Sequence, residues 1–293
     1  MTLRTLTRVL LVALVAVLLA LPAGGCARDA DEPDEPVPTP EPTPTPEPEP
    51  EPVAETIDVL VYLLDGETLA VVRRHVDDTV AVASAAMGQL LAGPEGRETE
   101  LDFGTEIPDG TALLGLDVDD GVATVDLSSE FESGGGSLSM RMRVAQVVYT
   151  LTQFETVDRV AFMIDGSPVE AIGGEGIMVS PPVGREDFRD DILPLIFVEE
   201  PAPFDEVTSP LRLHGYSNTF EATFIINVVD PSGRIVYEDF TTATAGSGTW
   251  GTFDVTVEYD IEREGVGALI VFEESAKDGS QVNLKEIPLE MRE

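Results

Sequence analysis

Two domains of different class are predicted: an α+β domain in which two helices pack on a mixed sheet, followed by an all-β immunoglobulin-like sandwich. Three observations predict them. Residues 57–172 mix β-branched runs with two stretches whose apolar residues recur every three or four positions. Residues 192–293 hold only short strand-like segments between turn signals, and a stretch rich in glycine, proline and acid, 173–191, reads as a linker between the two.

In the first domain, IDVLVYLL (57–64) and LAVVRRHV (69–76) flank Asp65-Gly66 and read as two strands. Asp77, Asp78 or Thr79 is expected to cap a helix carrying Val80, Ala83, Met87 and Leu90 on one face and ending at Gly93-Pro94. ALLGLDVDD (112–120) and VATVDLS (122–128) meet at Asp120-Gly121, a hairpin signal. After Ser133-Gly-Gly-Gly-Ser137 a second helix keeps Met140, Val144, Val147, Leu151 and Phe154 in register, and VDRVAFMIDG (157–166) supplies another strand.

From residue 192 the segments ILPLIFVEE, PLRLHGY, TFEATFIINVVD, RIVYEDFTT, TWGTFDVTVEYD, GALIVFEES and QVNLKEIPLE are separated by turn residues such as Asp230-Pro231-Ser232-Gly233 and Asp278-Gly279. This is the outline of a sandwich, with Trp250, Phe253, Val255, Val257 and Tyr259 expected in its core.

Ahead of both domains, Arg4 and Arg8 precede an apolar run over 9–21, then Pro22, Ala23, Gly24, Gly25 and Cys26. These are the parts of an export signal. About 13 apolar residues span roughly 20 Å as a helix, short of a ~30 Å hydrocarbon core. Residues 1–25 are therefore expected to be a lipoprotein signal peptide and Cys26, the only cysteine, the acylated residue. Ala-Gly-Gly-Cys departs from the usual lipobox, which more often has leucine three residues before the cysteine; a cleaved ordinary signal or an uncleaved anchor are the competing readings. Residues 26–56, with proline at nearly every second position and glutamate between, read as an extended acidic stalk.

The net charge of −38, from 55 acidic and 17 basic residues, disfavours nucleic acid and anionic headgroups as partners. Adaptation to a salty environment and binding of cations or a basic partner are both compatible with it. With Cys26 committed to lipid, internal disulfides are excluded.

Residues 57–172 resemble the GerMN domain of sporulation and spore-germination lipoproteins, through LLAGP (90–94), IPDGT (107–111), DDGVATVDLSSEF (119–131), RVAQVVYTLTQF (143–154) and VDRVAFMIDG. Residues 192–293 resemble Gmad2, an immunoglobulin-like domain of germination proteins, through SPLRLHGYSNTFEATF (209–224), DPSG (230–233), GSGTWGTFDVTVEY (246–259) and LIVFEESAKDGS (269–280). The resemblance implies a non-enzymatic envelope protein, and by analogy with ring-building modules of secretion channels, a part in assembling a complex.

No catalytic, metal or cofactor site is expected. His75 and His214 lie in different domains at predicted strand ends, without a Gly-x-Ser-x-Gly elbow. Asp117, Asp119 and Asp120 crowd before Gly121, but a strand follows at once where a calcium loop would continue. Gly134, Gly135 and Gly136 precede a helix as a phosphate cradle would, yet lack the Gly-Lys-Ser/Thr ending. The expected function is a scaffold or interaction component held at the outer face of the cytoplasmic membrane by its lipid, with other envelope proteins or further copies of itself as partners. The alternative is a module binding cell-wall glycan or another extracellular ligand on an aromatic platform of Trp250, Tyr216, Tyr237 and Tyr259.

Overall fold

The computed structural model describes residues 55–174 and 176–293; the signal segment, Cys26 and the stalk as far as residue 54 lie outside the described residues, while Thr56, read as the end of the stalk, already belongs to the first strand. The predicted opening strands are β1 (Thr56–Asp65) and β2 (Thr68–Asp77), an antiparallel hairpin turning at Gly66. Next come α1 (Val82–Leu91), the single turn α2 (Arg97–Glu100) and β3 (Phe103–Gly104), which extends the sheet in the order β2-β1-β3. The helix starts later than its apolar pattern predicts. The Thr79 hydroxyl accepts from the Ala81 N–H in a local turn, no side chain caps α1, and Val80 is left outside in solvent.

β4 (Leu113–Asp119) and β5 (Val122–Leu127) form the predicted hairpin, with Asp120 and Gly121 both at positive φ as a two-residue turn requires. Gly121 has a second reason to be glycine: a Cβ there would meet Asp158 Oδ2 at 2.8 Å. α3 (Ser137–Leu151) crosses over to β6 (Arg159–Ile164), which pairs parallel to β5, and β7 (Ser167–Pro168) completes a second sheet, β4-β5-β6-β7. The ribbon β8 (Ala171–Ile172) and β9 (Ile177–Met178) and the short helix α4 (Arg189–Ile192) follow. The strands of this domain thus divide between two larger sheets and a ribbon, with both long helices packed on β1.

α3 is not the one-sided helix its 4-3-4-3 spacing describes. Every residue from Met142 to Leu151 is buried, including Arg143, Gln146 and Thr150. Gln146 and Thr150, with Gln153 just beyond the helix, serve the edge of β1, whose second neighbour β3 pairs only with Leu64 and Asp65. The Tyr62 N–H donates to Thr150 Oγ1 (3.3 Å), the Tyr62 carbonyl accepts from Gln146 Nε2 (2.9 Å), and Leu60 exchanges bonds of 2.7 Å in both directions with the Gln153 amide. A helix ridge thereby satisfies backbone groups that would otherwise be buried and unpaired.

The second domain contains all seven predicted strands plus one short one: β10 (Ile196–Glu200), β11 (Glu206–Val207), β12 (Leu211–Ser217), β13 (Thr223–Val229), β14 (Ile235–Thr242), β15 (Gly251–Val257), β16 (Gly265–Glu274) and β17 (Gln281–Met291). They form a three-stranded sheet, β10-β12-β15, and a five-stranded sheet, β11-β17-β16-β13-β14. Leu213, Phe224, Ile226, Val228, Phe253, Val257, Leu269, Val271 and Leu289 fill the space between them. Trp250 does not join this core, contrary to expectation; it packs on the first domain.

The stretch 173–191, read as a linker, sends Val179, Val183 and Phe188 into the first core. β10 is buried on both sides: Ile196 and Val198 face the sandwich core, while Phe197 belongs to the first core. Both cores are filled by described residues, and the described residues belong to one compact unit. Among the described residues no helix is long and apolar enough to cross a membrane.

Candidate functional site at the seam between the domains

The outward side of the three-stranded sheet presents Phe197 and Glu199 from β10 and His214 and Tyr216 from β12, and this side is where the first domain sits. The first domain answers with Tyr62 from β1, Tyr149 from α3 and Arg185, which the 3₁₀ turn Arg185–Asp187 places in the seam. Arg185 Nη1 donates to Glu199 Oε1 at 2.6 Å, Nη2 to the Tyr62 hydroxyl oxygen at 3.0 Å and the Tyr149 carbonyl at 3.2 Å, and Nε to Thr152 Oγ1 at 2.8 Å. The Tyr62 hydroxyl in turn donates to Glu199. The guanidinium also lies 4.8 Å from the Tyr149 ring centroid and 5.2 Å from that of Tyr62.

Every polar atom of the Arg185 fork thus meets an acceptor, and the Glu199 side chain is only 6% exposed. Burial holds the Tyr62 hydroxyl well above the ordinary tyrosine range, Arg185 pulling the other way and Glu199 adding to the rise. Burial likewise raises Tyr149. Both phenols stay protonated as hydrogen-bond donors.

Further ties run along the same seam. Arg73 of β2 donates to Asp205 (3.0 and 3.1 Å) and Glu200 (3.1 Å); Arg97 bonds Glu290 (2.7 Å) and lies 3.6 Å over the Phe204 ring; Lys285 bonds Asp65. The Trp250 indole N–H donates to Asp190 Oδ1 at 2.7 Å, and Arg189 lies 5.0 Å over Tyr216. Beside them opens a cleft of about 980 Å³ between β2, α2 and the 200–207 segment. Its arginines are already engaged: Arg74, for example, reaches Glu98, the Gln89 carbonyl (2.9 Å) and the Gly93 carbonyl (2.8 Å).

The residues weighed from sequence fall elsewhere or change role. His75 is exposed and bonds Asp58, its cross-strand partner, at 2.6 Å. His214, expected near a strand end, lies mid-strand on the central β12, half-buried with Nδ1 3.9 Å from Glu199. Asp117, Asp119 and Asp120 belong to the β4-β5 hairpin. The glycine run packs on Arg143, which donates to the carbonyls of Phe131 (2.6 Å), Ser133 (3.0 Å) and Gly134 (3.3 Å) and lies 2.8 Å from where a Gly135 Cβ would be. Tyr259 and Tyr237 pack on the sandwich core while Tyr216 and Trp250 pack on the first core, so the four rings form no common platform. Among the described residues no cluster of three or more His, Cys, Asp or Glu is placed to hold a metal. Cys26 lies outside the described residues.

The fold and the seam define a class: an α+β module joined by a buried polar contact to an immunoglobulin-like sandwich. Family models place it further. Residues 60–170 match Germane, described as sporulation and spore germination, and residues 195–280 match Gmad2, the immunoglobulin-like domain of bacterial spore germination, so the chain carries both domains in tandem. Among solved structures the chain is similar to a candidate lipoprotein from Clostridium perfringens, with 21% identity and a TM-score of 0.35 over 47% of this chain and 93% of that one. It is also similar to the tandem GerMN domains of the sporulation protein GerM from Bacillus subtilis, at 17% identity and TM-score 0.39 over 70% of this chain and 62% of that one. The first GerMN domain of that protein gives 25% identity and TM-score 0.36 over 45% and 100%. None of the curated proteins compared matches the chain in sequence.

Proposed function

We propose that this chain is a lipid-anchored, extracytoplasmic interaction component of an envelope complex linked to sporulation or germination, and not an enzyme. The observation that carries the reading is the closed Tyr62–Arg185–Glu199 network. Buried ionic contacts are weak evidence of net stability, and in this reading the network serves to hold the two domains in one arrangement for a partner. The Germane and Gmad2 domains support the link to sporulation and germination. Crosslinking in intact cells should trap protein partners or self-multimers at native expression; recovery of monomer alone would refute the reading. Attachment through Cys26 is tested separately: Cys26→Ser should abolish acyl-lipid labelling and stall or release the precursor.

The cleft supports a second reading, in which a wall glycan or another extracellular ligand binds along the seam. Retention on purified wall material, lost on filling the cleft, would favour it over a purely proteinaceous partner.

A further inference from the structure

An antiparallel sheet with one face on the core normally keeps the other face polar. The five-stranded sheet does not. β16 reads Val266, Ala268, Ile270 and Phe272 at its outward positions, between the core residues Leu269 and Val271. The pairing aligns Phe240, Ile225 and Phe272 in one row across β14, β13 and β16, with Leu284 of β17 beside Phe272. A second row places Ile235, Val229, Ala268 and Pro288 together. Phe240 is 67% exposed, Ile235 50% and Leu284 49%.

Between these rows lies a third: Glu238, Asn227, Ile270 and Glu286. Both glutamates are exposed at its ends. Asn227, at its centre, is only 6% exposed, and its side-chain oxygen has no hydrogen-bond partner. Its neighbours shut that oxygen off from solvent, so the row offers contact at its centre and negative charge at its two ends.

We propose that this face is a docking surface for an amphipathic helix of another protein, apolar along its centre and bearing lysine or arginine along both edges. The four strands span about 14 Å at ~4.8 Å spacing, wide enough for a helix of roughly 10–12 Å diameter, and the two apolar rows lie about 13 Å apart at ~3.3 Å per residue, a length of about two helical turns. Lying along the strands, the helix covers Ile225, Val229, Ala268 and Ile270 with its apolar centre, has Phe240, Ile235 and Leu284 to either side, and meets Glu238 and Glu286 with its basic edges. Charge selects this occupant over a second copy of the chain, since like faces would oppose Glu238 and Glu286 to one another in a molecule of net charge −38.

The proposal rests on the reading of the chain as an interaction component, and its test is separate from crosslinking in cells. Residues 52–293 are titrated with a synthetic leucine/lysine amphipathic helix. The lysine peptide should bind the wild type about tenfold more tightly than Phe240→Ser/Leu284→Ser, a pair of exposed substitutions that leave both cores intact. Glu238→Lys/Glu286→Lys should weaken the lysine peptide about tenfold, whereas Glu67→Lys/Asp109→Lys, at two exposed acidic positions off this face, should weaken it far less. Equal affinity of the lysine peptide for the wild type and the serine variant, or equal weakening by the two pairs of charge changes, would overturn the proposal. So would a dimer in sedimentation that the serine variant dissolves, because a second copy would then be the occupant. Peptide binding as expected beside a monomer-only result in cells would leave the surface standing and sink the cellular reading alone.

Discussion

Arg185→Met is the most informative change at the seam. It removes the cation from a contact in which the Glu199 side chain is 6% exposed and the Tyr62 hydroxyl fully buried. Removing one partner of a buried pair costs about 3–5 kcal/mol, because the remaining charge stays in a poorly solvating site. Glu199 keeps the Tyr62 hydroxyl as a donor, so the lower end, about 3 kcal/mol, is expected. That is a large part of the ~5–15 kcal/mol typical of a folded domain. The assay is urea unfolding of residues 52–293, followed by far-UV circular dichroism and by the emission of Trp250, the only tryptophan. Its indole bonds Asp190 and packs on the first core, so its emission reports the seam. In the variant the tryptophan transition should precede the dichroism transition. Tyr62→Phe/Arg185→Met/Glu199→Leu, which also removes the hydroxyl that would be left without a partner, should recover at least half of the loss, since a buried polar contact replaced whole by apolar groups is often neutral. A loss under ~1 kcal/mol in the single variant, or a triple variant no more stable than the single one, would refute the reasoning.

Two other sites give independent checks. Gly135 has φ +77°, and an added Cβ would sit 2.8 Å from Arg143 Nη2 and against Ser139 Oγ; Gly135→Ala should therefore destabilise by about 1–3 kcal/mol in the same unfolding assay, whereas a neutral result would mean the loop can move away from Arg143. The Asp230 carboxyl is held at about 2, first by the Ser232 hydroxyl (2.5 Å), with the Arg234 and Ser232 backbone N–H groups and the Arg234 side chain adding to it. Because the folded value lies below the ordinary 3.8, its contribution is present above about pH 3.8 and lost as the pH falls through 2; a carboxyl-carbon NMR titration with its midpoint at the ordinary value would contradict this.

The strands were legible because each domain spends its sequence on alternation and turn residues. The seven segments after residue 192 all form strands, and Asp120-Gly121 turns as its residue types require. Trp250 was misplaced although its position carried the signal. Phe253, Val255, Val257 and Tyr259 occupy odd positions on one face, and an even-numbered residue entering that strand points away from them. The apolar stripe of α3 was readable, but not the burial of Gln146 and Thr150 or the role of the half-buried Gln153 just past the helix, because their partners lie 84–93 positions away on β1. Arg185 had no local signature either. It sits in a segment whose composition says loop, and only the fold brings it to Tyr62, 123 positions earlier, and to Glu199.

The unbroken apolar runs carried information that alternation could not express. IDVLVYLL on β1 and the run in β16 both mark strands with two apolar faces. On β1 the structure supplies both covers: hydrophobic core on one side, the seam with Tyr62 and Phe197 on the other. β10 repeats the pattern, dividing its side chains between the two cores, so the boundary between the domains passes through a strand and not through a linker. On β16 only one cover is present. Its inward residues meet the sandwich core, while its outward ones close ranks around an amide oxygen that nothing pairs. The first domain already packs on Phe197 and Tyr216, on the outward side of the three-stranded sheet, so in the proposed arrangement the five-stranded sheet meets the partner and the glutamates at both ends of its central row select that partner's charge.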